Sequence, residues 1–271
     1  MKTTNKIFLP QNLIFIPPGR TELFNRFNTV MSTLPFAIKS VAKMYKLNLL
    51  RTLDIAALPF HLACVSAERD EKENTVSPVE TGRMIHDLLC LPLAHEHLVK
   101  AMEESLRQSS LQVWECFEMF LREFYVALLN HQPLLSTRLL KTGGDLFDRQ
   151  IDMDDLSKFG FNLSDHLGDL FTRHHDHHAV PFIKRMAKAL FPNNSMLHAA
   201  LANPLLLLLH QRRNLIVHQR GIVNERYLDR TDEHLTPGEE IVITPAELEE
   251  YLLITMKAVT EFLVASKNPI P

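Results

Sequence analysis

Apolar residues recur at three- and four-residue steps along much of the chain, the spacing of helices that each bury one face. The clearest run is Val113, Phe117, Phe120, Leu121, Phe124 and Leu128, inside a helix predicted from Ala94 to about Leu129. Leu248, Leu252, Val259, Phe262 and Leu263 mark the inner face of a final helix that ends near Ser266. That helix opens on Thr244-Pro245-Ala246-Glu247, a capping box with proline at the first helical position. Asn203-Pro204 is another helix start, with Asn as the cap. The helix it opens runs through the unbroken Leu205–Leu209 to about Gln219, and Gly221 is its expected terminator. Shorter helices are predicted over 82–91, stopped by Pro92, and over 182–191, stopped by Pro192. A further one is predicted from Leu163 to Thr172, capped by Asn162 or Ser164. Ile241-Val242-Ile243 reads as a short strand-like stretch between the polar loop 229–240 and the final helix.

The first third of the chain is less regular. Residues 1–20 read as an extended arm, because Pro10, Pro17 and Pro18 block helix formation. Residues 23–62 are helical in composition, with breaks near Pro35 and Pro59. Lys39, Lys43, Lys46 and Arg51 form a mildly basic patch there, best read as solvated helix faces. The polar, charged run 68–80 is the candidate linker or mobile loop. Pro133 and Gly143-Gly144 mark a turn region. The expected architecture is all-α, with an N-terminal arm and helical region over 1–94 and a helical domain over 95–271.

Composition narrows the function classes. The hydrophobic share of 46% can build a proper core, and 8 glycines with abundant leucine favour helix. A net charge of −3 argues against a broadly basic nucleic-acid binder, so any contact with nucleic acid has to be local or made across a dimer. Cys64, Cys90 and Cys116 are scattered, odd in number and without a CxxC, which fits reduced thiols in the cytoplasm. No apolar run approaches the roughly 20 residues of a membrane span. The first residues, interrupted by Pro10 and closed by Pro17-Pro18, make a poor signal peptide.

The candidate chemistry lies in Arg212-Arg213-Asn214-Leu215-Ile216-Val217-His218, which continues through Gly221-Ile222-Val223-Asn224-Glu225-Arg226-Tyr227-Leu228. Asn214 and His218 are four residues apart and share a helix face, so the amide is placed to orient the imidazole. Arg213 is adjacent and long enough to reach the same spot. An imidazole moves protons and a guanidinium neutralises oxyanions, a pairing suited to a phosphodiester. Arg213, Asn214 and His218 are therefore the candidate catalytic residues, and the flanking Arg212 and Arg220 the candidate substrate contacts. Glu118, at the edge of its stripe, has two candidate partners: Arg122 one turn later, or Arg213.

The bare spacing Arg-x4-His recurs at Arg173 and His178, so the surrounding residues carry the weight. Arg213-Asn214-x3-His218 and the following Gly221–Leu228 resemble the motif region of the HEPN superfamily, in the branch related to RNase LS and PSP-type domains. The resemblance spans roughly residues 95–271 and is closest at the motif. It implies a helical bundle, commonly dimeric, with a composite site at the interface. It also implies metal-independent endoribonuclease activity in toxin–antitoxin, antiviral-defence or RNA-processing settings. The implied partners are an RNA substrate, a second copy of the chain, and an antitoxin or other regulatory protein, with no cofactor, metal or membrane.

Two other readings stay open at the level of sequence. Arg213 and His218 could be satisfied interior groups that tie a helix to its neighbours, leaving a non-catalytic RNA-binding or protein-interaction module. His174, His175, His177 and His178 around Asp176 are ligand types for a transition metal, but adjacent histidines on a helix point different ways.

Overall fold

The computed structural model describes residues 18–52, 94–142, 153–160, 162–163, 166–172 and 180–267. The expected linker at 68–80, the helix at 82–91, Pro59, Cys64, Cys90, Gly143-Gly144 and the His174–His178 cluster lie outside those residues. Within them the fold is all-α. The helices are α1 (Pro18–Ser32), α2 (36–52), α3 (Ala94–His131), α4 (Leu134–Thr142), α5 (Met153–Ser157), α6 (Leu167–Thr172), α7 (Val180–Leu190), α8 (Ser195–Ala202), α9 (Pro204–Gln219), α10 (Glu225–Leu228) and α11 (Pro245–Ala265). None of these helices is long and apolar enough to cross a membrane.

Local sequence sets the helix ends. Pro35 lies in the break between α1 and α2. Asn203 accepts from the Leu205 N–H at 2.9 Å, with Pro204 starting α9. Thr244 and Glu247 close the expected capping box on α11. Four details differ from the sequence expectation. Residues 18–20, expected as the end of the extended arm, are helical, and Pro18 opens α1; residues 1–17 of that arm lie outside the described residues. The helix predicted from Leu163 begins at Leu167. The left-handed residue that ends α9 is Arg220 (φ 54°, ψ 28°), one position before the expected Gly221. Gly221 is also at positive φ, and its N–H reaches back to the Leu215 carbonyl at 3.1 Å. Finally, residues 241–243 form no strand; the chain pairs with 221–223 only through an isolated antiparallel bridge, Ile222 to Glu240.

The longest element, α3, has 38 residues and carries the expected apolar stripe; Val113, Phe117, Phe120, Leu121, Phe124 and Leu128 are all buried. Against it lie α6, α9 and α11. The approach of α6 is close enough that a Cβ on Gly168 would overlap the Val126 backbone, so glycine is required there. Helix α11 is buried nearly all round in its second half, from Ala258 to Leu263, and touches α1, α3, α8 and α9. It is the central strut of the bundle.

A chain of ring contacts runs through the centre. Phe27 of α1 meets Tyr45 of α2 at 6.3 Å between centroids, Tyr45 meets Phe120 at 5.5 Å, and Phe120 stacks on Phe124 at 5.3 Å. Phe124 then meets Phe262 of α11 at 5.6 Å, and Phe262 meets Phe191 at 6.4 Å. Edge and offset contacts of this kind add to plain apolar burial. The same apolar cluster thus includes α1 and α2 with the later helices. Arg26 of α1 also stands 2.6 Å from the buried Glu261 of α11.

Phe120 sits at the middle of this ring chain and is 1% exposed. Phe120→Ala is expected to cost about 3–5 kcal/mol in a urea titration. Phe36→Ala, at a side chain 85% exposed, is expected to stay within about 0.5 kcal/mol.

Candidate functional site

Helix α9 faces two ways. Leu206, Leu209, Leu215 and Ile216 bury one side of it, and Val217, His218 and Gln219 are exposed at its C-terminal end. Beside that end lies a solvent-open groove of about 460 Å³. Its walls come from α9 (Gln211, Asn214, Leu215, His218, Gln219) and from the segment just after it (Asn224, Arg226, Tyr227, Arg230). Two of the three candidate catalytic residues, Asn214 and His218, therefore share one cavity.

The third candidate, Arg213, is half-buried and stands beside the groove, outside its lining. Its Nη1 donates to Asn214 Oδ1 at 3.2 Å. Its Nε is buried and has no hydrogen-bond partner among the described residues. A buried donor without a partner is costly and uncommon, and such groups concentrate where function or strain requires them.

Asn214 was expected to orient His218. Its amide nitrogen instead lies 3.3 Å from Nε2 of His210, one turn earlier on α9. His210 is buried against the Trp114 ring, 4.9 Å between centroids, and Trp114 Nε1 donates to the Glu118 carboxylate at 2.9 Å. A connected set of hydrogen-bond and ring contacts thus runs from α3 to the groove wall. It orients the Asn214 side chain, and the exposed His218 ring lies outside it. Glu118 is accordingly a buried acceptor for Trp114, a partner that the sequence reading did not include.

The two candidate substrate contacts are placed elsewhere. Arg212 points away from the groove and is 5% exposed. Its Nη2 and Nε donate to Glu233, and its Nη1 donates to Glu247 at 2.9 Å. With both carboxylates engaged and water excluded, its guanidinium has no free edge for a substrate. Burial alone would lower its pKa, but the hydrogen bonds to Glu233 together with the charges of Glu233, Glu247 and Tyr251 hold it above the ordinary value. Arg220 is exposed but occupies the left-handed cap of α9, and it does not line the groove. Its position past the last turn suits a cation, which complements the helix C-terminus.

The Arg212 cluster holds the second groove wall. Tyr227 donates its hydroxyl to Glu233, the carboxylate that Arg212 binds. Burial, reinforced by Glu233, raises the Tyr227 hydroxyl well above the ordinary tyrosine range, so it stays a donor. The 224–240 segment is closed at its base by Val223 N–H to the Glu239 carbonyl and Gly238 N–H to the Val223 carbonyl, both 2.8 Å. Arg107 of α3 forms an ion pair with Glu240 at the same point. Sequence reading missed Gln211, Asn224, Arg226, Tyr227 and Arg230 as lining residues. The four-residue spacing of Arg226 and Arg230 was visible, but nothing in it showed that they face α9.

Among the described residues, no group of three or more His, Cys, Asp or Glu side chains is placed to hold a metal ion. Comparison with protein-family models, curated proteins and solved structures finds no match to this chain.

Glu247 links the cap of α11 to Arg212. Burial pushes its carboxyl upward, but the Thr244 N–H, the Thr244 hydroxyl and Arg212 together hold it below the usual value of 4.5. A carboxyl depressed in the folded state stabilises the protein above its unfolded pKa, and that contribution fades as pH falls through the folded value. Glu247→Gln keeps the cap geometry but removes this titration. The stability gap between wild type and variant is expected to be largest near neutral pH and to shrink below about 4.5, read as urea midpoints across that range.

Proposed function

We propose that this chain is a metal-independent endoribonuclease of HEPN type, acting as a homodimer on RNA. The observation that carries the reading is the placement of His218 and Asn214 on the wall of one solvent-open groove at the end of α9. In the proposed reaction the ribose 2′-oxygen attacks the adjacent phosphorus while its proton is taken up by a base. The bond to the 5′-oxygen breaks, and that oxygen leaves with a proton. The products are a 2′,3′-cyclic phosphate and a 5′-hydroxyl.

His218 is the proton-transfer group, worth roughly a hundredfold to ten-thousandfold. Its exposed ring has no hydrogen-bond partner among the described residues, so both nitrogens are available to substrate. Arg213, locked to Asn214, supplies positive charge where the phosphoryl oxygens gain negative charge. One chain offers one such imidazole. A two-fold related copy would bring a second, and separate acid and base with it. A toxin–antitoxin or defence role, with a regulatory protein that covers the groove, belongs to the same proposal.

One observation favours a second reading, a non-catalytic RNA-binding or protein-interaction module. Asn214 contacts the buried His210, so part of the motif serves the packing of α9.

The test is incubation of the purified full chain with single-stranded RNA in EDTA, with product ends mapped. Cleavage leaving cyclic phosphate is expected, with a loss of about a hundredfold or more in His218→Ala. Because His218 is exposed, that variant should keep the wild-type circular dichroism and urea midpoint. Equal cleavage by the variant would reject the assignment of His218, and RNA binding without cleavage by wild type would favour the module.

A further inference from the structure

The groove carries a charge pattern that the motif does not explain. Its nine lining residues include Arg226, Arg230 and His218 and no Asp or Glu, although the whole chain has 32 acidic residues against 29 Lys and Arg. Two carboxylates of the Arg212 cluster are already committed. Glu233 and Glu247 face Arg212. Glu225 and Asp229 adjoin the two arginines in sequence but do not line the groove. Arg226 and Arg230 are both exposed and form no ion pair among the described residues. They are not free to drift with a loose loop, because Tyr227 between them is buried and tied to Glu233, and the base of the segment is pinned to 221–223. Two guanidiniums carried on a pinned backbone beside an imidazole, in a concave site lined by no carboxylate, attract an anion with more than one charged group.

We infer that Arg226 and Arg230 form a phosphate-binding arm that grips the backbone of single-stranded RNA next to the bond presented to His218. The inference rests on the ribonuclease reading and deepens it. The arginines bind phosphate oxygens, which fixes register and carries no sequence information. The remaining lining is rich in amides, Gln211, Asn214, Gln219 and Asn224, which offer both donors and acceptors to base edges. Contacts to base edges of RNA favour an unpaired strand whose bases can be splayed out, so the arm is assigned to a single strand rather than a duplex. Recognition is therefore dominated by charge, with steep salt dependence.

The experiment uses the full-length protein and a 2′-O-methyl single-stranded oligonucleotide, which cannot be cleaved, alongside the same sequence as a duplex. Binding is measured across a salt series for wild type, Arg226→Gln/Arg230→Gln and Arg226→Lys/Arg230→Lys. Cleavage of the ordinary RNA is followed in parallel. For wild type we expect the single strand to bind more tightly than the duplex. In the Gln pair, the slope of log affinity against log salt should flatten by about 1.4, from about 0.7 for each lost phosphate contact. In the same variant KM rises while kcat is kept, and the Lys pair restores most of the slope. An unchanged slope and KM, with wild type still cleaving, would remove the arm and leave the nuclease reading intact. A loss of kcat at constant KM would move the arginines from binding into the chemistry and overturn the inference. Equal affinity for duplex would overturn the single-strand assignment. Wild type that neither binds nor cleaves RNA would overturn both readings.

Discussion

Much of the site's geometry depends on one buried guanidinium. Arg212 leaves α9 outside the groove lining and holds Glu233 in the loop and Glu247 at the start of α11. Removing such charges from water is expensive, and a buried ion pair is weak evidence for stability in itself. What it does well is specify an arrangement, because any shift that separates the partners leaves a charge buried alone. Here it sets the register of three segments at once: the motif helix, the loop that returns over it, and the strut helix. The Tyr227 hydroxyl joins the same carboxylate, so the wall of the groove is held by the cluster that anchors its floor helix.

A second set of contacts reaches the groove from the opposite direction. Glu118, Trp114, His210 and Asn214 connect the long helix α3 to the amide in the groove wall, and Arg213 extends the set by one more hydrogen bond. Most of these groups are buried, so the amide is oriented by neighbours that cannot easily move. His218 stands outside both networks. The framework is tied by these contacts, while the exposed His218 ring stands outside them at the end of α9.

The contrast between Arg212 and Arg213 shows how little adjacency in sequence says about role. One step of 100° round α9 separates a residue enclosed by carboxylates from one that is half-buried beside the groove. Arg220 differs again, because the chain must leave α9 through a left-handed turn and Arg220 takes that conformation. Three arginines of the same local sequence have become an anchor, a neighbour of the motif amide and a helix cap.

Helical periodicity, capping residues and proline positions by themselves determined where most of the described helices run and which faces they bury. Those signals act over three or four residues and depend on local geometry and on hiding apolar area from water. The stripe on α3, the caps of α9 and α11, and the inner face of α11 are of this kind. The grouping of Asn214 with His218 on one face was legible for the same reason. Only the tertiary structure decided what each polar group faces. Glu233 and Glu247 lie 21 and 35 residues from Arg212, Trp114 reaches His210 from another helix, and Arg226 and Arg230 meet α9 only after the loop folds back. Such pairings are settled by how the helices pack and which carboxylates are carried inward with them, and no local pattern records that.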